Sequence, residues 1–329
     1  MKLRTTSRQI PYVIWAVALL MTLVFSCKSD KDSVSPEEPA CKVQTISNSF
    51  NGGTPVVTTA EYNAQNLLTS FVTSSTTTTG VTVTGKETYE YDNNGYLLVH
   101  KIVSNPGQAS ERVNVLTTYK YENGRIVEQK FMNIYTLVLD TQVTQDTSSS
   151  STRYIYNAAG RLTTFIDDWG YSVDTYNFTN GVLTSASSRI SGTDYPMTVA
   201  NGRIEAVSGP GNYRYRHIYD AKGYRVKFES IGPDGTVNFY STFEYGPTPV
   251  KSFEPVRKGF PGIEMYGKRD LPEVKVVQYN QGRQTSQSQT QYQLNAQGYP
   301  ISLRHTNTSA DGSFPPSSQT ITYTYSNCK

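Results

Sequence analysis

Reactive side chains are scarce in this chain. Only three cysteines and three histidines occur among 329 residues, and no Cys-x-x-Cys, His-Glu-x-x-His or Gly-x-Ser-x-Gly pattern is present. His100, His217 and His305 fall in three separate expected strands, without acidic or cysteine neighbours at metal-ligand spacing, so no metal site is read from them. Charge of one sign is also lacking. The first 26 residues hold three of the 30 Lys+Arg and none of the 27 Asp+Glu, so the rest of the chain is formally neutral. That removes the compositional case for a nucleic-acid partner. Hydrophobic residues make up only 36%, which argues against a thick aliphatic core. Tyrosine is abundant instead, with 25 residues, and thin sheets with amphipathic tyrosine faces accommodate it.

A phosphate-binding loop is excluded in the same way. Gly80-Val81-Thr82-Val83-Thr84-Gly85-Lys86 fits the spacing, but Glu87 stands where a hydroxyl must hold Mg²⁺, and a β-branched run replaces the required helix. The reading therefore carries no catalytic residues, no metal and no cofactor.

The N-terminus is more informative. Lys2, Arg4 and Arg8 precede an apolar run, Tyr12–Phe25, too short for a stable span, and Val24-Phe25-Ser26-Cys27 closes it. The tetrad resembles a bacterial lipobox. The resemblance implies a signal peptide over 1–26, lipid on Cys27 and a membrane-hung mature protein. Residues 28–40 are charged and Pro-containing without apolar periodicity, and read as a flexible tether. Its acidic, serine-rich start resembles the surface-export signal of Bacteroidetes lipoproteins. Asp32-Ser33-Val34 resembles a short O-glycosylation acceptor of that lineage. The resulting expectation is a lipid-anchored outer-membrane protein at the cell surface, with the periplasmic face as the alternative.

Two cysteines remain. Cys41 follows the tether and Cys328 is penultimate, which suggests a disulfide stapling the first strand to the last in an oxidising compartment.

From residue 41 onward one unit recurs: aromatic-x-aromatic, Asp or Asn, Gly, Arg or Tyr, then an aliphatic residue. Tyr89-x-Tyr91-Asp92 leads to Gly95-Tyr96-Leu97, Tyr119-x-Tyr121 to Gly124-Arg125-Ile126, and Tyr154-x-Tyr156-Asn157 to Gly160-Arg161-Leu162. Weaker copies run through Gly181, Gly202, Gly223, Gly282 and Gly298, and Asn66 stands in for glycine in the first. Each Tyr-x-Tyr lays two rings on one face of a strand, and the Asx-Gly that follows turns the chain. The expected fold is all-β: an antiparallel up-and-down meander of roughly 18–20 strands over 41–329, rolled into a large soluble barrel or half-barrel. Near 246–272 the alternation fails and prolines 247, 249, 255, 261 and 272 break any long strand. Such a stretch reads as a crossing connection, plug or lid.

These hairpins resemble the YD repeats of Rhs and teneurin-type shells. The whole arrangement, ending in Tyr323-Thr324-Tyr325-Ser326-Asn327-Cys328, resembles a family of uncharacterised Bacteroidetes lipoproteins with a proposed porin-like β fold. The resemblance implies fold and location and transfers no catalytic residues.

Binding leaves two traces. Asp167, Asp168, Trp169 and Tyr171 share an expected turn, where rings beside carboxylates suit a sugar or peptide, unless Trp169 folds back over the sheet. Phe260 and Tyr266, in the Pro-rich segment, form either an apolar contact patch or part of a plug. Adjacent Asp167 and Asp168 point apart on a strand and make no acid–base pair without a distant partner. The expected function is a non-enzymatic envelope module that binds a glycan, peptide or protein. The alternatives are an accessory subunit of an outer-membrane complex and, third, a glycan-active enzyme.

Overall fold

The computed structural model describes residues 41–76, 82–105, 112–139, 142–251, 258–263, 265–310 and 312–328. Cys27, Ser33 and the rest of the signal and tether lie outside the described residues.

Twenty strands follow one another: β1 (Lys42–Phe50), β2 (Val56–Tyr62), β3 (Leu68–Thr76), β4 (Thr82–Tyr91), β5 (Leu97–Ser104), β6 (Arg112–Glu122), β7 (Arg125–Leu139), β8 (Gln142–Tyr156), β9 (Leu162–Asp168) and β10 (Ser172–Thr179) form the first half. The second half is β11 (Val182–Ile190), β12 (Thr193–Ala200), β13 (Arg203–Ser208), β14 (Arg214–Tyr219), β15 (Arg225–Ile231), β16 (Val237–Tyr245), β17 (Glu273–Asn280), β18 (Arg283–Leu294), β19 (Pro300–Ser309) and β20 (Ser317–Ser326). Each pairs antiparallel with its sequence neighbours, and β20 returns to pair with β1 from Lys42↔Ser326 to Phe50↔Gln319. The sheet is therefore a closed up-and-down barrel, which settles the barrel against the half-barrel. A round ring of this many strands has a backbone diameter of about 40 Å, wide enough for a lumen. Residues Thr82–Tyr91 are strand, so the phosphate-loop spacing does not open a helix.

The recurrent unit has a physical basis at each position. Asp92 Oδ1 accepts the amides of Asn94 and Tyr96 at 2.9 and 2.8 Å, and Asp220 Oδ1 those of Lys222 and Tyr224 at 2.9 Å each. Asn63 and Asn295 do the same in their turns. The tighter turns Asn123-Gly124, Asn180-Gly181 and Asn201-Gly202 have positive φ at both residues, the type I′ geometry that matches strand twist. The second tyrosine of a unit donates its hydroxyl to the carbonyl that begins the preceding hairpin's return strand: Tyr91 to Leu68, Tyr219 to Ile204, Tyr245 to Arg225 and Tyr325 to Pro300. An arginine one or two residues after the glycine covers a ring of the next unit in three places: Arg125 over Tyr156, Arg203 over Tyr219 and Arg225 over Phe243.

All these turns lie at one end of the barrel. Of the ten hairpin positions there, eight carry a turn, the β16–β17 position carries the Pro-rich segment, and the Cys41–Cys328 disulfide closes the β20–β1 position. Gly282 breaks the phase. Its turn joins β17 to β18 at the opposite end, because Gln281-Gly282 is another positive-φ pair and that turn chemistry serves either end.

The core is a belt rather than a centre. One cluster spans β1–β4 and β18–β20, a second lies on β9–β13, and a third covers β4–β9, each on the inner wall toward the turn end. The outward face of β18 and β19 is polar. Tyr292 and Leu303 join the core, so Gln287, Gln289 and Gln291 of β18, with Arg304, Thr306 and Thr308 opposite, face out. Lys120–Glu122 and Lys275–Glu244 ion pairs decorate the same exterior at 2.9 and 2.7 Å.

Candidate functional site

The Pro-rich segment between β16 and β17 straps the turn end. Lys251 N–H donates to Gly298 O, Ile126 N–H to Gly259 O, Ile204 N–H to Met265 O, and Lys268 N–H to Gly223 O, at 2.9–3.0 Å. One segment thus touches the turns before β7, β13, β15 and β19, which lie around the whole ring. Its apolar side chains fill the space beneath. Phe260 lies edge-on to Tyr119, Tyr121 and Tyr154, with centroids 5.7–6.3 Å apart, and Ile263 joins the same cluster. Met265 and Tyr266 pack on the second cluster.

Tyr266 reaches a polar patch on the lumenal wall. Tyr154 and Tyr176 belong to the inner belt, so by alternation Thr152, Asp167, Asp174 and Ser188 face the lumen beside them. Asp167 and Asp174 stand directly opposite each other on β9 and β10, and Thr152 and Ser188 flank them on the next strands. Thr152 Oγ1 donates to Asp167 Oδ1 at 2.8 Å, and Tyr176 Oη lies 3.3 Å from Asp174 Oδ2. Tyr176 and Tyr266 are hydrogen-bonded to each other. Burial raises the Asp167 carboxyl above its ordinary range, the Thr152 bond pulls it down, and the facing Asp174 pushes it up again. Burial likewise holds the Tyr176 and Tyr266 hydroxyls protonated.

The sequence reading judged Asp167 against Asp168 and left open a distant partner. Asp174 stands opposite Asp167 across the hairpin. Its signal was present, since Asp167 and Asp174 are placed symmetrically about the turn, but only the register identifies it. Asp168 faces the other side and accepts the Gly170 amide at 2.9 Å. Trp169 and Tyr171 sit at the rim furthest from the strap, 46% and 73% exposed. Phe260 and Tyr266 lie at the strapped end, half-buried against the wall, so the four aromatic candidates do not converge. Tyr266 and Asp167 do meet, through Tyr176 and Asp174.

Two histidines acquire surroundings that sequence did not reveal. His100 has an acidic partner after all, because β4 places Glu87 Oε1 2.6 Å from its Nε2, and Tyr89 stacks on the imidazole at 4.9 Å. His217 is 7% exposed, lies between Phe228 and Tyr266, and has no hydrogen-bond partner at Nδ1. Among the described residues no three His, Cys, Asp or Glu side chains converge on a metal position. Chemically, the lumenal patch gathers two carboxylates and four hydroxyls, with Tyr176 and Ser188 buried behind the others. That set suits a ligand rich in hydroxyls or carrying a cationic group.

The chain matches no protein-family model and no curated protein sequence. Among solved structures it is similar to a porin-like protein from Bacteroides uniformis ATCC 8492, at 12% identity and a TM-score of 0.38, over 86% of this chain and 96% of that one. A porin-like protein from Bacteroides vulgatus ATCC 8482 gives 11% identity and a TM-score of 0.35, over 87% and 99%. A TcdB2-TccC3-TEV structure gives 13% identity and a TM-score of 0.24, and the match spans only 18% of that chain.

Proposed function

We propose that this chain is a lipoprotein of the bacterial outer membrane, held through Cys27, whose barrel is a ligand-binding module rather than an enzyme. The tether joins the barrel at Cys41, at the strapped end, so the open rim with Trp169 and Tyr171 is the end opposite its attachment. We read the lumen, crossed by the strap at one end and apolar there, as a cup that a ligand enters from the rim. The observation that carries this reading is the lumenal patch of Asp167, Asp174, Thr152, Ser188, Tyr176 and Tyr266. The polar outward face of β18 and β19 supports a barrel that stands in water, since a membrane-embedded wall needs an apolar outer band all round. A glycan or a basic peptide fits the patch, and cell-surface display is the location in which either is met.

The test is a screen of glycan and cationic-peptide arrays with the mature chain, followed by titration of each hit against Asp167→Asn/Asp174→Asn and Trp169→Ala variants. Loss of at least tenfold in affinity in the aspartate variant supports the cup. Hits that bind both variants unchanged overturn it. Protease shaving of intact cells checks the location: a domain lost from whole cells is surface-displayed, whereas full protection places it in the periplasm. Intact mass of the mature protein checks the lipid on Cys27.

A further inference from the structure

The two ends of the barrel differ in charge. At the strapped end Arg125, Arg161, Lys222, Lys251, Lys268 and Arg269 are exposed. Among the described residues none of the six lies in an ion pair. Of the carboxylates of that end, Glu122 pairs with Lys120 and Glu273 lies 3.8 Å from Arg225, while Asp92, Asp220 and the exposed Asp270 keep their charge and leave the six cations in excess. At the rim there is no such surplus: Asp146, Asp167, Asp168, Asp174, Asp194, Glu229 and Asp234 on or near the hairpins stand against Lys86, Lys101, Arg112, Arg189, Arg214, Arg216 and Arg283. The chain as a whole is neutral past its signal, so the surplus is local to the strapped end.

The tether spans residues 28–40 and extends at most about 45 Å, comparable with the width of the barrel. A tether of that length does not fix orientation. The six cations lie on the end from which it leaves. Against an anionic leaflet each contributes favourably within a Debye length, while the charge-balanced rim offers no comparable attraction.

We infer that the strapped end is a docking face for an anionic phospholipid surface, which holds the barrel upright with its rim directed away from the membrane. The inference rests on the proposed anchoring only for its setting, since the face itself is defined by charge. Charge complementarity selects the lipid phosphates as occupant. The ammonium groups of two strap lysines also lie near tyrosine rings, Lys251 over Tyr299 and Lys268 over Tyr224 at 5.4 and 5.9 Å, which places cation and ring together on this end.

The experiment is vesicle flotation of the mature chain carrying Cys27→Ser, so that no acyl chain contributes. Vesicles of phosphatidylcholine alone are compared with vesicles of three parts phosphatidylcholine to one part phosphatidylglycerol. Binding is expected only to the anionic vesicles and is expected to fall at least tenfold as ionic strength rises from about 0.05 to about 0.5 M. Lys222→Ala/Lys268→Ala/Arg269→Ala should lose at least tenfold, and Arg214→Ala/Arg283→Ala at the rim should lose nothing. Equal binding to both vesicles, no binding to either at low salt, or an unchanged triple variant overturns the docking face. Because the probe is unlipidated, that failure leaves the anchor untouched, whereas an unmodified Cys27 in the native mass would reject the anchor and leave the docking face standing.

Discussion

The imidazole of His217 lies against the ring of Tyr266, centroids 5.0 Å apart, and this contact joins the barrel wall to the strap. Tyr266 in turn is hydrogen-bonded to Tyr176, whose hydroxyl sits beside Asp174. The strap is thus not a loose cover. It ends in the same polar patch that the lumen offers to a ligand, so strap and site are mechanically one unit.

His217 sets an acid sensitivity. Burial, reinforced by the nearby Arg225, lowers its pKa from 6.5 to about 4. The unfolded chain therefore binds a proton before the folded barrel does, and stability is lost as pH falls from about 6.5 to about 4, by about 3 kcal/mol at most. Because Nδ1 has no partner, His217→Phe should keep the ring packing at little cost near neutrality. Denaturant unfolding should then show the variant to be less acid-sensitive than the parent across that window. Equal slopes with pH would refute the assignment.

Asp167 acts with the opposite sign. Its folded-state pKa is raised, so the ionised carboxylate is disfavoured in the barrel at neutral pH and stability rises as pH falls through the raised pKa toward 3.8. Asp167→Asn still accepts the Thr152 hydroxyl and removes the facing negative charge. The variant is expected to be more stable than the parent near neutrality, with the advantage vanishing in acid. A loss of stability at neutral pH would mean that the carboxylate makes a favourable contact of its own.

The turn end was largely legible because its chemistry is local. An Asx oxygen that caps its own turn, a residue at positive φ and two rings on one face all act within a few residues, and they repeat. What was not legible is what the ring brings together. Nothing near Gly259 or Met265 announces that their carbonyls will meet Ile126 and Ile204, since those partners are set by closure of twenty strands. Asp174 escaped for a smaller reason. It is an isolated carboxylate in a strand, and it gains meaning only from a register that pairs it with Asp167. Gly282 misled because a type I′ pair looks the same at both ends of a meander.

Phe260 fastens the strap to the third cluster. Phe260→Ala removes a ring that touches three tyrosines and should cost about 2–4 kcal/mol, at the lower end if the strap collapses onto the wall. The local signature is more specific than the global one. Hydrogen exchange at the Ile126 amide, which donates to Gly259 O, should accelerate far more than exchange at Ile204, whose acceptor Met265 lies in the other half of the strap. Equal acceleration at both would mean that the strap opens as a single piece.

The glycine of the repeat answers to two demands, and they can be separated. Gly223 has φ +95°, and a Cβ there would also collide with the Arg203 guanidinium that lies over Tyr219. Gly282 has φ +77° with open space around it. Gly282→Ala therefore reports the backbone term alone, about 1–2 kcal/mol. Gly223→Ala should cost more, because the arginine must leave its ring as well. In an Arg203→Ala background the excess should disappear, giving a coupling of about 0.5–1 kcal/mol, the scale of an exposed cation–π contact. If the two glycine substitutions cost the same in the parent, the arginine moves aside freely. The recurrence of arginine after glycine would then have to be explained by something other than its place over the next unit's ring.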